Sequence, residues 1–166
     1  SDYEKIGAHV IANTGSNWFS DFTIDKGIND GVQVDSNVLA GSGLVGIVIE
    51  AGPNYARVRS IVDDASNVSA MMLSTSDTCM VRGDLKLLSD GRLRFEKLPN
   101  NDNNIKVGEQ VVTSHISNRF LQGLFIGYVS DIEVDSNNLT RSGYITPAVD
   151  FSKLQEVLVI TTTKKD

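Results

Sequence analysis

The chain has 166 residues, of which 40% are hydrophobic and 22% are charged, and its formal net charge is -6. This length and composition are typical of one or two globular domains and exclude a disordered chain. The negative charge argues against a nucleic-acid-binding protein, because such proteins need clustered lysine and arginine to displace counterions from phosphates.

The first half of the chain alternates short apolar segments with turn signals. Strands are predicted at residues 7–13, 18–24, 46–51 and 56–62. In the last of these, Arg57 and Arg59 alternate with small or apolar residues, which indicates one wet face. The polar sequence DDASNVS at residues 63–69 then predicts a connection and a domain boundary.

The second half continues the pattern, with strands predicted at residues 68–74, 78–81, 143–147 and 156–161. Residues 151–155 could form a single helical turn. The sequences LKLL and RLRFEKL flank Ser89-Asp90-Gly91, and Asp-Gly between alternating runs predicts a tight hairpin. Leu93 and Phe95 should then face the core, and Arg92, Arg94 and Glu96 should face water.

The central stretch, residues 111–129 (VVTSHISNRFLQGLFIGYV), predicts two strands separated by a wet loop. Glycines within its second half suggest a bulge or a close crossing of two backbones. Residues 24–48 are a weaker copy with the same order of parts and end in GLVGIV. The two copies favour two small β-domains of similar construction, and chance similarity of short Gly/Val runs is the alternative.

No window of the sequence places apolar residues at the i, i+3, i+4 and i+7 spacing of an amphipathic helix. About a dozen short strands with turn signals every ~8 to 12 residues point instead to barrels or sandwiches. The sequence therefore predicts an all-β protein with little helix.

The chain offers few groups for catalysis. Its two histidines are His9 and His115, and the second lies beside Ser114 and Ser117, which invites a Ser-His-Asp hydrolase interpretation with the loop at Ser42 as an oxyanion site. However, adjacent residues on a strand point to opposite faces, so Ser114 and His115 are poorly placed to pair. We expect no catalytic residues.

Metal and cofactor binding are also weakly supported. The cluster Asp102, Asn103 and Asn104 lacks the spacing of a calcium loop, and two separated histidines make no zinc site. Residues 41–46 (GSGLVG) fit G-x-G-x-x-G, but they lead into a β-branched run where a dinucleotide site needs a helix. The single cysteine, Cys79, excludes an intramolecular disulfide. We therefore expect no cofactor and no metal.

Aromatic residues are the remaining signal for binding. Trp18, Phe19, Phe120 and Phe125 are candidates for exposed aromatic groups. Phe120 follows Arg119 in a polar loop, and an aromatic residue beside an arginine is typical of anchors at protein interfaces. The alternative is that Phe120 folds back to close the end of a barrel. We expect Arg119, Phe120 and Phe125 to form part of a partner surface.

Taken together, these motifs resemble the bacterial rod shape-determining MreC family in its extracytoplasmic β-domain region. The segments that carry the resemblance are IDKG at 24–27, DGV at 30–32, GLVG at 43–46 with Val48, VRSIVD at 58–63, VGE at 107–109 leading to Thr113-Ser114, GLFIG at 123–127 with Val129, and Pro147, Asp150 and Leu154 before VLVI at 157–160. The chain departs from the family at His115, where the family usually has glycine, and at Leu121-Gln122, where it commonly has proline before the Gly-Leu pair.

The resemblance implies two small six-stranded β-barrels, the second similar to the chymotrypsin-like barrel. Residues 1–64 would form the first barrel, which a C-terminal strand could complete, and residues 65–166 would form the second. It also implies a non-enzymatic scaffold of the cell-elongation machinery that maintains rod shape. The partners it implies are a second copy of the protein, a class B penicillin-binding transpeptidase, MreD and MreB.

The same resemblance implies a location on the extracytoplasmic face of the bacterial plasma membrane. The longest apolar run, at residues 44–49, is far shorter than the ~20 residues that span a bilayer. The chain lacks an initiator methionine, so we expect a soluble fragment of a protein whose N-terminal transmembrane helix and coiled coil lie outside it. Two other functions stay open at this point: a serine hydrolase using His115, and a wall-glycan-binding β-domain.

Overall fold

A computed structural model describes residues 3–13, 20–88 and 91–164. Within those ranges the chain forms twelve β-strands, numbered here in chain order. The first six are β1 (Lys5–Asn13), β2 (Asp21–Ile24), β3 (Asn37–Ala40), β4 (Gly43–Ala51), β5 (Ala56–Ser60) and β6 (Asn67–Met72). The other six are β7 (Thr78–Arg82), β8 (Leu93–Pro99), β9 (Gln110–Thr113), β10 (Phe125–Val134), β11 (Thr140–Pro147) and β12 (Glu156–Ile160).

The first six-stranded barrel is closed by strands from both ends of the chain. Its strands run in the order β4, β3, β12, β1, β2 and β5, and β5 pairs again with β4. The last strand, β12, lies between β1 and β3 and is antiparallel to both. The closed ring removes the unpaired edges that an open sheet would expose.

The second barrel consists of consecutive strands. Its order is β11, β8, β7, β6, β9 and β10, and β10 pairs again with β11. The rings meet where β10 runs parallel to β4 for one residue pair, Phe125 and Gly43. Among the described residues, α-helix is confined to one short segment, α1 (Leu85–Leu88), and there is one 3-10 turn at Ile28–Asp30. The all-β prediction is confirmed.

Alternation along the strands builds both cores. In β5, Ala56, Val58 and Ser60 are buried, whereas Arg57 and Arg59 between them are partly exposed. In β8, Leu93 and Phe95 are fully buried, as the sequence predicts. Period-two patterning therefore places the apolar side chains inside each ring.

The prediction of a hairpin around Ser89-Asp90-Gly91 is wrong for its first strand, residues 85–88. Leu85–Leu88 is a short helix, and Ser89 and Asp90 lie outside the described residues. The side chain of Asp84 explains the difference, because its Oδ1 accepts a hydrogen bond of 2.9 Å from the backbone N–H of Lys86. An acidic residue in this position caps the start of a helix.

The side chains predicted to face water on β8 and directly before it are only partly exposed. Arg94 is exposed, whereas Arg92 and Glu96 are half-buried. The guanidinium of Arg92 lies 4.2 Å from the centre of the Tyr144 ring, and Glu96 pairs with Arg82. The helical turn considered for residues 151–155 is a turn without helix, in which Asp150 accepts a hydrogen bond of 3.0 Å from the backbone N–H of Ser152.

Candidate functional site

The loop between β9 and β10, residues 114–124, connects two strands of the second barrel and contacts the first barrel. It is called the junction loop here. Asn37 on β3 holds it in place. The Asn37 side chain donates to the carbonyl oxygen of Arg119 at 3.1 Å and accepts from the backbone N–H of Leu121 at 2.8 Å. Asn37 is fully buried, so a side chain of one barrel satisfies backbone groups of the other in a dry environment.

An ion pair lies beside this contact. The carboxylate oxygen Oδ1 of Asp35 accepts hydrogen bonds from Nε and Nη2 of Arg119, at 3.2 Å and 3.0 Å. The backbone of Asp35 has a φ of 75°, in the left-handed region that non-glycine residues rarely adopt. Strained residues of this kind persist only where their surroundings hold them, and here Arg119 contributes to that.

Inside the second barrel, the junction loop is held by Thr113 at the end of β9. The Thr113 hydroxyl donates to the carbonyl oxygen of Leu121 at 2.6 Å and accepts from the backbone N–H of Leu124 at 2.8 Å. Ser114 is also buried, and its hydroxyl bonds that of Ser69 at 2.8 Å. The loop predicted to be wet is therefore partly buried: Thr113 bonds its backbone, and Ser114 bonds a side chain of β6.

The structure separates the three residues predicted to bind a partner. The Arg119 side chain is 46% exposed, although its guanidinium also contacts Asp35. Phe125 is half-buried on β10 and packs edge-to-face against Tyr128, with ring centres 5.1 Å apart. Phe120 is only 6% exposed and belongs to the core, as the barrel-closing alternative has it. Of the other aromatic candidates, Trp18 and Phe19 lie outside the described residues.

Asp35 and Asn37, which hold the junction loop, are not among the residues predicted from the sequence. The available signal was the polar triplet Asp35-Ser36-Asn37 directly before the apolar pair Val38-Leu39. Polar residues adjoining a buried strand need hydrogen-bond partners, but the sequence alone does not identify partners more than 80 residues away.

Arg119 also lines a cleft of about 380 Å³ at the barrel junction, called the junction cleft here. β5 contributes Arg59, the connection between the barrels contributes Ala65 and Ser66, and β6 contributes Asn67. The junction loop contributes residues 116–120 to the lining. The cleft is therefore assembled from both barrels, a common position for binding sites.

The hydrolase geometry is absent from the described chain. Ser114 is fully buried and bonds Ser69, whereas His115 is exposed. Ser42 lies in an exposed turn that leads into β4, so the G-x-G-x-x-G match at residues 41–46 runs into a strand, as the sequence indicates. A nucleophile needs a base within hydrogen-bond reach, and Ser114 is instead bonded to another serine.

The polar loop at residues 101–104 has a structural role. Asn101 and Asn103 each donate a side-chain hydrogen bond to the carboxylate of Asp77, at 3.0 Å and 2.9 Å. Burial alone would raise the pKa of Asp77, but hydrogen bonds from Asn103, Thr75 and Asn101 outweigh it and hold that pKa below its ordinary value.

In residues 3–13, 20–88 and 91–164, no group of three or more histidine, cysteine, aspartate or glutamate side chains is arranged to hold a metal ion. Within the same ranges, no helix has the length and apolar character needed to cross a membrane.

Comparison with known proteins identifies relatives. Residues 10–161 match the family model of the rod shape-determining protein MreC, barrel core. The chain is 34% identical over 165 residues to the cell shape-determining protein MreC of Listeria monocytogenes, covering 96% of this chain and 54% of that protein. Identity to the Bacillus subtilis protein of the same name is also 34%, over 96% of this chain and 57% of that protein. The chain thus spans about half the length of these relatives.

Solved structures agree with the sequence comparisons. The structure of MreC from Listeria monocytogenes has a TM-score of 0.86 at 32% identity, covering 98% of this chain and 78% of that one. The major periplasmic domain of the cell shape-determining filament MreC has a TM-score of 0.76 at 22% identity and covers 94% of both chains. A chain from the complex between penicillin-binding protein PBP2 and MreC of Helicobacter pylori has a TM-score of 0.69 at 13% identity, covering 96% and 100%. The last two likenesses concern the fold alone.

Proposed function

The chain belongs to the MreC family of non-enzymatic, cell shape-determining proteins, and on that premise we propose that it is a scaffold of the bacterial cell-elongation machinery. In this role it holds peptidoglycan-synthesis proteins in place, and it makes and breaks no covalent bond. Because the chain spans about half the length of its relatives, the partners and anchoring of the whole protein are part of the proposal.

The proposed partners are a class B penicillin-binding transpeptidase and a second copy of the protein, with MreD and MreB following from the family resemblance. Support for the transpeptidase comes from the Helicobacter pylori structure, which is a complex between PBP2 and MreC. Support for a location outside the plasma membrane comes from the relative described as a major periplasmic domain. The N-terminal transmembrane anchor is proposed for the longer protein.

The observation that carries the scaffold proposal is the buried polar connection between the barrels. Asn37 bonds two backbone groups of the junction loop, and Asp35 pairs with Arg119 in the same loop. These contacts fix the loop relative to both rings. A preorganised surface loses little conformational entropy on binding, which favours association with partner proteins.

We place part of the partner surface on residues 117–125, with the exposed Arg119 and the half-buried Phe125 as its contact groups. Phe120 supports this surface from inside, because its ring is buried and its backbone N–H donates to the Ser117 hydroxyl at 2.9 Å. Replacing Phe120 would therefore test folding as well as binding. Phe125 is the better residue to change.

The experiment is a pull-down of the cognate class B transpeptidase with the 166-residue chain. We expect Phe125→Ala to weaken capture about tenfold, because aromatic anchors carry much of the binding energy of an interface. Tyr55→Ala is the matched control, since Tyr55 is an aromatic residue that is 39% exposed on the turn between β4 and β5. Equal capture by Phe125→Ala and the unchanged chain would remove this surface from the proposal.

A further inference from the structure

The junction cleft differs from the rest of the chain in the charged residues that line it. Its lining includes two arginines, Arg59 and Arg119, and no aspartate or glutamate. The chain as a whole carries 21 acidic and 15 basic residues. Each of these arginines has an aspartate beside it outside the lining, Asp63 for Arg59 and Asp35 for Arg119. The cleft therefore offers oriented guanidinium donors, which favour a carboxylate ligand.

Arg59 is available for such a ligand. Its side chain is 37% exposed, and its Nε lies 3.6 Å from Oδ2 of Asp63, beyond normal hydrogen-bond distance. Within the described part of the chain, neither Nη atom of Arg59 donates a hydrogen bond. The guanidinium is therefore oriented by Asp63, and the two donors best suited to a bidentate carboxylate contact are left to solvent.

Arg119 approaches the cleft from the junction loop. Its Nε and Nη2 both bond one oxygen of Asp35, a carboxylate that is itself only 10% exposed. In residues 3–13, 20–88 and 91–164, Nη1 of Arg119 donates no hydrogen bond. Asp35 thus fixes the guanidinium and leaves a donor for a second acceptor.

The rest of the lining suits a peptide. The exposed residues Asn67 and Asn118 carry amides that can bond a peptide backbone, which has both donors and acceptors. Ile116, which is 59% exposed, and the half-buried Met80 provide apolar contacts. Cationic, amide and apolar groups therefore meet in one concave site.

We propose that the junction cleft binds an acidic peptide segment, with its carboxylate held between Arg59 and Arg119 and its neighbouring apolar residues against Ile116 and Met80. This site deepens the proposed scaffold function, on which it rests, by giving the chemistry of one partner segment. The occupant is an extended peptide with a glutamate or aspartate side chain beside apolar residues.

The test uses two synthetic peptides and no transpeptidase, so its failure is distinguishable from failure of the scaffold proposal. The probes are fluorescein-labelled GLVELG and GLVQLG, both with an amidated C-terminus, titrated against the 166-residue chain by fluorescence polarisation at low salt. We expect the glutamate peptide to bind about tenfold more tightly, since a charge-assisted pair replaces a neutral one. The difference should shrink as salt screens the charges.

Two variants locate the effect. Arg59→Gln should abolish the preference for the glutamate peptide. Arg94→Gln removes the same charge from an exposed position on β8, outside the cleft lining, and should preserve the preference. Circular dichroism of both variants checks that they fold.

A second measurement needs no variant. In amide spectra of the unchanged chain recorded by nuclear magnetic resonance, the glutamate peptide should shift the signals of Asn67, Asn118 and Arg119 most. Equal affinity for the two peptides would overturn the proposal. It would equally be overturned by shifts confined to other surfaces, or by the same loss of preference in Arg94→Gln as in Arg59→Gln.

Discussion

Gly43 and Phe125 form the parallel β-bridge that joins β4 of the first barrel to β10 of the second. Each residue begins its strand, and each strand is the second member of an antiparallel pair, β3–β4 or β9–β10. The two Gly-Leu segments singled out in the sequence both lie at this crossing, but Gly43 is the first residue of β4, whereas Gly123 precedes β10 by two residues. The similar units meet where their second strands begin.

The close approach of β4 and β5 requires glycine at position 46. A Cβ there would lie 2.1 Å from the carbonyl oxygen of Arg59 and 2.7 Å from Cα of Ser60, and neither backbone atom can move cheaply. We expect Gly46→Ala to lower the free energy of unfolding by about 3 kcal/mol, measured by urea denaturation.

Gly7→Ala is the matched control for this substitution. Gly7 lies in β1, and a Cβ there would meet nothing within 4 Å. We expect this variant to gain about 0.5 kcal/mol, because alanine loses less conformational entropy than glycine on folding. A similar effect of both substitutions would contradict the steric explanation.

Strand positions could be predicted because alternation is a local signal. Leu93 and Phe95 are buried as expected, since every second side chain of a barrel strand faces the core. The segment Leu85–Leu88 could not be assigned this way, because four residues fit a strand or a helical turn equally well. The hydrogen bond between Asp84 and Lys86 favours the helical turn, and a pattern of apolar residues does not predict this bond.

The junction was less predictable than the strands. Arg119 and Phe120 were singled out because an arginine and an aromatic residue adjoin in a polar loop, yet one side chain is exposed and the other is buried. Which of the two turns inward depends on the first barrel, whose Asn37 bonds the backbone on either side of Phe120. Contacts at such sequence separation set the side-chain direction, and no local pattern reports them.

Removal of the Asn37 side chain should destabilise the junction. Asn37→Ala leaves the backbone N–H of Leu121 and the carbonyl of Arg119 without their partner in a buried site. We expect a loss of about 2 to 4 kcal/mol in urea denaturation, with faster proteolysis of the junction loop. Asn118→Ala, at an exposed position in the same loop, is the control and should change the free energy by less than about 0.5 kcal/mol.

Because the backbone of Asp35 is left-handed, we expect its substitutions by asparagine and by alanine to differ in stability. Asparagine tolerates a φ of 75° and keeps a side-chain oxygen that can accept a hydrogen bond from Arg119. Alanine tolerates this φ poorly and has no such oxygen. We expect Asp35→Ala to be less stable than Asp35→Asn by about 1 kcal/mol in urea denaturation. If the two variants unfold at the same urea concentration, backbone strain at this position is not significant.

We expect four aspartates to make the stability of the folded chain sensitive to acid. A hydrogen bond from the backbone N–H of His9 lowers the pKa of Asp25. Hydrogen bonds from Ser142 and Thr140 lower the pKa of Asp135, and those from Ser152 lower the pKa of Asp150. The pKa of Asp77 is also lowered, against the effect of its burial. An aspartate whose pKa in the folded chain is below its unfolded value of about 3.9 stabilises the fold at pH values above about 3.9. This stabilisation is lost as the pH falls through the pKa of the folded state.

We therefore expect the urea midpoint to be steady near neutral pH and to fall below about pH 4. Asp77→Asn should be less stable than the unchanged chain at neutral pH, and this difference should narrow as Asp77 is protonated. Asp102→Asn, at an exposed position nearby, is the matched control and should be as stable as the unchanged chain at neutral pH. A constant difference between Asp77→Asn and the unchanged chain down to about pH 2 would contradict the assignment.

Cys79 should be unreactive in the folded chain. The thiol is buried on β7, and burial raises its pKa to about 12. Because the thiolate is the reactive form, both low access and a low thiolate fraction oppose modification. We expect iodoacetamide to label Cys79 at about pH 8 at least a hundredfold more slowly in the native chain than in the urea-unfolded chain. Rapid native labelling would mean that the second barrel opens far more readily than its closed ring of strands implies.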